Sequence, residues 1–352
     1  MHRAAPGRGA AVRGPPAARR KTGARMMTMR CDPGTAQPAI LGIGAYRPHR
    51  LVDNEEICRR LDSTPAWILQ RSGIETRRFA GPDETLVHMA ATAVGKALAD
   101  AGITPNAVDR IVVATMSDVS GAVGLGEEIA LRIGAHPTAL RISAACSGFC
   151  VALALAADMV RFGEAEVTVV VGVERMSDII DPQDRGTAFI FGDGAGAVVV
   201  GQAAENGIGP VAWGGNPALV DAITVQPQPG VCDGRPVMRM AGSKVFRWAV
   251  TELPAVVERA LGLAGVGADG LDAFVPHQAN LRIIEALAAK AGLPPRVEIA
   301  RDIVTAGNTS AASIPLALHA LRSANRIGTG ALALLVGFGA GLEYAAQVVR
   351  VP

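Results

Sequence analysis

Aromatic residues make up only 4% of the 352 positions, with eight Phe, three Trp and two Tyr. A recognition surface built from stacked aromatics is therefore not expected. Net charge is also small, since 34 Lys and Arg nearly balance 32 Asp and Glu to leave +2. That excludes a chain whose whole surface attracts nucleic acid or an anionic membrane, although a local basic patch remains compatible. The five cysteines, Cys31, Cys58, Cys146, Cys150 and Cys232, are odd in number and contain no CxxC pair. Neither a zinc site nor a disulfide framework is expected, and the usage fits a reducing, cytoplasmic compartment. No apolar run approaches the roughly 18 residues needed to span a bilayer.

Small and aliphatic residues dominate instead. Hydrophobic residues reach 49% and Gly alone contributes 41, which suits tightly packed helix and strand layers. The length exceeds the common single-domain size, so two domains or one large fused unit are expected.

Residues 1–37 differ from the rest. They carry Arg3, Arg8, Arg13, Arg19, Arg20 and Arg25 among Pro, Ala and Gly, without hydrophobic periodicity. Arg19-Arg20 lacks the apolar segment that a twin-arginine signal requires. The stretch reads as a disordered leader, or as the result of an upstream start codon with Met26, Met27 or Met29 as the true start.

From Ala39 onward, short apolar runs alternate with helical patterns, which argues for an α/β protein with buried strands. Strands are expected at 39–44, 110–115, 167–173, 195–201, 272–275, 331–336 and 344–350. Helices are expected at 84–102, 124–133, 148–163, 244–263, 280–292 and 313–323. The second half echoes the first. Arg110-Ile-Val-Val-Ala-Thr115 precedes SAACSGF, a helix and VTVVVGVE, just as AFVPHQ precedes GNTSAASIP, a helix and ALALLVGFG. Such a duplication brings equivalent helix starts to a shared centre. A seam near 203–215 separates an N-terminal half, 38–205, from a C-terminal half, 206–352.

SAACSGF, residues 143–149, places Cys146 among small residues at the start of an apolar helix. There the helix dipole lowers a thiol pKa and favours the nucleophilic thiolate. Small neighbours admit a substrate and close backbone approach. By itself Cys146 could equally be a small core residue, and Cys150, one turn deeper, reads as core. VPHQAN puts His277 just after a strand, and GNTSAASIP puts Asn308 at a turn before a helix. A lone His after a strand is commonly just hydrogen-bonded, and Gly-Asn before Ser or Thr is an ordinary helix cap. All three nevertheless fall at strand-to-helix transitions, where α/β proteins build their sites.

SAACSGF, DRGTAFIFGDGAGA (184–197), VPHQANLRII (275–284), GNTSAAS and GFGAG (337–341) together resemble β-ketoacyl-acyl-carrier-protein synthase III of the thiolase superfamily. The likeness runs from about residue 39 to 351. It implies an α/β thiolase-like duplicated fold of five layers, α/β/α/β/α, and a homodimer. It also implies an acyltransferase in which Cys146 takes an acyl group from acyl-CoA. Malonyl on an acyl carrier protein then loses carbon dioxide and condenses with that group, starting a fatty-acid or polyketide chain. His277 and Asn308 would donate hydrogen bonds to the enolate, and the backbone N–H groups of Cys146 and Ala340 would form the oxyanion hole. No cofactor or metal is needed, because the CoA thioester is a substrate. FGDGAG lacks the spacing and Lys of a phosphate loop and reads as a supporting turn.

By the same resemblance, Trp67 and Arg71 in STPAWILQRSGI and Arg185 in DRGT would contact CoA. Arg247, Arg282 and Lys290 would meet the acidic carrier protein. The sequence departs from the family at Ser117-Asp-Val-Ser-Gly-Ala-Val-Gly124, where an aromatic or Pro-containing segment is usual. An altered, roomier acyl pocket is expected, and 211–236 also matches poorly. Two other classes stay open at this level. One is acyl transfer between carriers, or onto a hydroxyl, without condensation; the other is an inactive partner subunit of a synthase complex. A degradative thiolase is disfavoured because the GFGAG loop lacks a second Cys.

Overall fold

A computed structural model describes residues 1–2, 36–119, 124–227 and 234–352. The leader reading and its alternative starts, part of the 117–124 departure and residues 228–233 lie outside the described residues.

The chain opens with β1 (Gln37–Tyr46), followed by β2 (Arg50–Asp53), α1 (Asn54–Cys58), α2 (Pro65–Ser72) and β3 (Thr76–Phe79). Helix α3 (Leu86–Ala101), β4 (Arg110–Ala114), α4 (Leu125–Ile133) and β5 (Thr138–Ile142) come next. A one-turn 3-10 segment, Ala145–Ser147, then runs into α5 (Gly148–Arg161), β6 (Val167–Glu174) and β7 (Gly194–Ala203). The second half begins with β8 (Ala212–Gly215), β9 (Ile223–Pro227), β10 (Pro236–Met240) and α6 (Gly242–Ala264). It continues with β11 (Ala273–Pro276), α7 (Leu281–Lys290), β12 (Glu298–Ile299) and α8 (Ile303–Ala306). A matching 3-10 segment, Ser310–Ala312, enters α9 (Ser313–Ser323), and β13 (Leu332–Gly339) and β14 (Glu343–Arg350) finish the fold.

Two five-stranded mixed sheets organise these elements, in the orders β1-β7-β6-β4-β5 and β12-β11-β13-β14-β8. Their central strands, such as β4, β6, β7 and β13, carry side chains buried on both faces, which is why they read as continuous Val, Ala and Leu runs rather than as alternation. Between the sheets lie α5 and α9, with Phe149, Leu153, Ile314 and Leu318 packed against Val112, Val170, Val275 and Leu335. Helices α3 and α4 cover the outer face of the first sheet through Met89, Val94 and Ile129. Helices α6 and α7 cover the outer face of the second through Trp248, Leu253, Val257 and Leu287. The result is the five-layer α/β/α/β/α arrangement.

The duplication extends to the backbone. Ala145 (φ 44°) and Ser310 (φ 47°) are non-glycine residues in the left-handed region, each the first residue of its 3-10 segment. That conformation is costly for an L side chain and is held by surrounding packing. The same strained step therefore launches the central helix of each half.

Candidate active site

Cys146, His277 and Asn308 line one cavity of about 1010 Å³, together with Gly339 and Ala340. Cys146 is buried in the 3-10 segment that leads into α5. Gly339, the last residue of β13, is pressed against it: a Cβ added there would stand 2.9 Å from both the Cys146 Cβ and its N. Only a missing side chain permits that approach. Burial pushes the Cys146 thiol up to about 12, with the Glu174 carboxyl adding to the rise and the Ser310 hydroxyl opposing it. The expected depressed thiol pKa is thus not met, because desolvation of a thiolate outweighs the helix start. Cys150 is buried under Gly337 and is likewise raised to about 12 by burial. It packs in the core between the sheets.

His277 follows β11, its N–H held by the Val336 carbonyl at 2.8 Å and its ring edge-on to Phe338 at 5.2 Å. Burial lowers its pKa to about 3, so the ring is neutral. Its Nδ1 lies 2.7 Å from Ser313 Oγ, which also accepts the Gln278 N–H at 3.3 Å. Ser313 is buried, so its own proton needs an acceptor, and Nδ1 is the one at hand. The network therefore assigns the ring proton to Nε2, as a donor rather than a base. Asn308 is fixed by an N–H bond to the Ile190 carbonyl at 2.9 Å and by accepting from Gly192 N at 3.0 Å. Its Oδ1 accepts the Ser310 N–H at 2.8 Å, which leaves the amide NH₂ as the free donor. Asn308 therefore closes a local turn and does not cap α9, whose N-cap is Ala312 without a side-chain bond.

FGDGAG is a supporting strap. Phe191 bridges Asn308, and the Asp193 carboxylate accepts from Ala80 N, Ser177 N and Ser177 Oγ at 2.8, 2.9 and 2.6 Å. Gly307 (φ 66°) passes so close that a Cβ would meet the Ile190 carbonyl and the Arg77 Cβ at 3.0 Å. Arg77 itself is buried, donating to Asn54 Oδ1 at 2.8 Å and to the Phe189 carbonyl at 2.6 Å.

The outer cavity combines apolar and cationic groups. Arg185 lies over the Trp67 ring at 5.0 Å, and Trp67 meets Phe189 edge-on at 5.1 Å. Trp67, Arg71, Arg185, Arg247 and Arg282 all line the cavity, and the four arginines are exposed. Arg282 is not a free docking charge. It donates to the Gln70 and Leu69 carbonyls at 3.1 and 3.3 Å, tying the C-terminal end of α2 to α7, and it pairs with Glu285. Lys290, exposed in the last turn of α7, is not among the cavity residues. An apolar wall is formed by Met116, Ile190, Phe191, Ile223, Met238 and Met240. Sequence reasoning passed over Ser313 and Arg77. Their signals were present, a polar residue inside GNTSAAS and an Arg-Arg pair in a short, half-buried strand.

Two family models match the chain. Residues 140–217 match 3-oxoacyl-[acyl-carrier-protein] synthase III, and residues 261–351 match its C-terminal part. A curated β-ketoacyl-[acyl-carrier-protein] synthase III 1 from Streptomyces coelicolor is 47% identical over 343 residues, covering 93% of this chain and 100% of the relative. A β-ketoacyl-[acyl-carrier-protein] synthase III from Mycobacteroides abscessus is 46% identical over 330 residues, covering 91% and 96%. Among solved structures, the priming β-ketosynthase of the R1128 polyketide pathway superposes with a TM-score of 0.88 at 43% identity, covering 92% of this chain and 99% of that one. The Aquifex aeolicus 3-oxoacyl-[acyl-carrier-protein] synthase III follows with 0.83 at 34% identity, covering 89% and 99%. The protein is thus a thiolase-fold enzyme of the acyltransferase class, and it belongs to the 3-oxoacyl-[acyl-carrier-protein] synthase III family.

Proposed function

We propose that this enzyme joins an acyl group from acyl-CoA to malonyl-acyl-carrier protein with loss of carbon dioxide, with Cys146 as the acyl carrier. The observation that carries this reading is the meeting of one buried thiol with two neutral hydrogen-bond donors, His277 Nε2–H and the Asn308 amide, in a single cavity. Acyl transfer alone needs a nucleophile and an oxyanion site. Two extra donors suit a second substrate whose thioester oxygen gains charge as the carboxylate leaves. The ring cannot serve as a strong base with its pKa near 3. It therefore stabilises the enolate without withdrawing a proton.

In the first half-reaction Cys146 Sγ attacks the acyl-CoA carbonyl, and the oxyanion is received by the backbone N–H groups of Cys146 and Ala340. In the second, the malonyl thioester oxygen lies on His277 and Asn308, carbon dioxide departs, and the carbanion attacks the acyl-Cys carbonyl. No cofactor enters either step. Trp67 and Arg185 would clamp the adenine while Arg71 meets phosphate. Arg247 would steer the acidic carrier protein, with Arg282 and Lys290 at the margin. A homodimer is supported by β5, the edge of the first sheet, with Leu140 on it and Leu131 on α4 exposed. Among the described residues no helix is long and apolar enough to cross a membrane. With the cysteine usage, that supports a cytoplasmic enzyme.

A panel of acyl-CoA primers with malonyl-acyl-carrier protein, scored for carbon dioxide and product together, tests the reading. Stoichiometric release and a β-ketoacyl product are expected. Acyl movement to the carrier without release would replace condensation by plain transfer.

A further inference from the structure

A fully buried carboxyl stands behind the nucleophile without a part in the steps above. Glu174 ends β6, and among the described residues it gathers donors from both halves. Its Oε2 accepts from Thr115 Oγ1 (3.1 Å), Met116 N (3.1 Å), Ser117 N (3.0 Å) and Ser117 Oγ (2.5 Å). Among the described residues its Oε1 has two long backbone contacts, Met116 N at 3.2 Å and Ala311 N at 3.4 Å. The less satisfied oxygen thus faces the 3-10 segment that begins at Ser310.

Ser310 carries three marks of a residue held in place for use. Its backbone is strained at φ 47°, its side chain is buried, and its Oγ makes no well-formed hydrogen bond. A buried polar group left unmatched calls for a physical reason. The Ser310–Ala312 segment packs against both the Ala145–Ser147 segment that carries Cys146 and the β6 strand that ends at Glu174, and the hydroxyl favours the charged form of the thiol and of the carboxyl. With one proton it can serve only one of them at a time.

We propose that Glu174 stores the Cys146 thiol proton between the two half-reactions, with the Ser310 hydroxyl as the relay. The proposal rests on the acyl-Cys146 reading. On attack, the Sγ–C bond forms and the S–H bond breaks. The thiol proton passes to Ser310 Oγ as the Ser310 proton passes to Glu174 Oε1. The C–S bond to CoA breaks, and CoA leaves as a thiolate that takes a proton from solvent. When the carbanion forms its C–C bond, the Cys146 thiolate is expelled and recovers the stored proton by the same route. One solvent proton is consumed in the whole cycle, balancing the carboxylate lost as carbon dioxide. Moving a proton between two buried groups avoids leaving a bare thiolate in an apolar cavity. Loose resting contacts that tighten with substrate are the usual behaviour of such groups.

The test uses Ser310→Ala and Glu174→Gln, with acylation followed in a single turnover with labelled acyl-CoA across pH. Enzyme pre-loaded by long incubation and freed of CoA is then mixed with malonyl-acyl-carrier protein, and the carbon dioxide burst is timed. Both variants should acylate at least about 10²-fold more slowly, with a rate that climbs with pH as solvent base substitutes for the relay. Their pre-loaded bursts should match wild type, because expulsion of the thiolate needs no proton first. Unchanged acylation in the variants overturns the proposal. So does a burst that falls in step with acylation, since that marks Glu174 as a brace for the Asn308 segment. If Glu174→Gln does not fold, Ser310→Ala decides alone. Wild type run in parallel separates the two readings: absence of label on its Cys146 would defeat the acyl-enzyme itself.

Discussion

Gly339→Ala probes the closest approach in the site. Gly339 has φ −178°, extended backbone that any residue adopts, so conformational strain does not enter. The obstacle is steric. The new methyl would stand 2.9 Å from Cys146 Cβ and N and 3.3 Å from its Cα. Restoring ordinary contact requires about 0.5 Å of separation, supplied by backbone atoms that cannot rotate aside. Overpacking of this kind costs about 1–3 kcal/mol, a fall in Tm of several degrees at most in a chain of this size. Activity should suffer far more. Displacing the nucleophile and covering its backbone N–H, one of the two oxyanion donors, predicts acylation about 10²–10³-fold slower. Single-turnover acylation with a parallel thermal melt measures both. Gly95→Ala, whose Cβ would meet nothing within 4 Å, is the control. Acylation within about fivefold of wild type, with an unchanged melt, would refute the contact between β13 and Cys146.

Other expectations follow from single contacts. Arg185→Ala removes the cation over Trp67 and should raise KM for acyl-CoA about fivefold to tenfold with kcat unchanged; an equal loss of kcat would place Arg185 in the chemistry. His277 is neutral with its pKa near 3, so the decarboxylation rate should show no inflection near 6.5 between about pH 5 and 8. The same shift has a stability consequence. The unfolded chain takes up a proton at His277 below its ordinary value of 6.5 while the folded chain does not, so this term is lost as pH falls from 6.5 toward about 3. Urea midpoints compared at pH 7 and pH 4.5 should therefore drop more for wild type than for His277→Gln, and equal drops would contradict the buried neutral ring.

The reading of the fold from sequence succeeded where burial is two-sided. Strands such as Val167–Glu174 and Leu332–Gly339 are continuous apolar runs, and α9 falls on the expected 313–323. It missed β5, Thr138–Ile142, because an exposed edge strand alternates polar and apolar residues over too few positions to stand out. It also missed β8, β9 and β10, whose segments are set by contacts with distant elements. Cys146, His277 and Asn308 were legible because each motif breaks a core pattern. Glu174 was not: one acid at the end of VTVVVGVE reads as a strand reaching solvent, and it is buried by Thr115–Ser117 and the Ser310–Ala312 segment, both distant in sequence. The thiol pKa was misjudged for a similar reason, since a helix start is visible in sequence and complete desolvation is not. Arg282 reads as a free surface charge in the sequence because its partners, the Gln70 and Leu69 carbonyls, lie more than 200 residues away.

The acyl-enzyme is the account's centre, and peptide mapping after incubation with labelled acyl-CoA tests it most directly. The mass of one acyl group should appear on the peptide bearing Cys146, leave when malonyl-acyl-carrier protein is added with release of carbon dioxide, and be absent from Cys146→Ala. Label on Cys150 or elsewhere, or a wild-type enzyme that forms product while Cys146 stays unmodified, would contradict it.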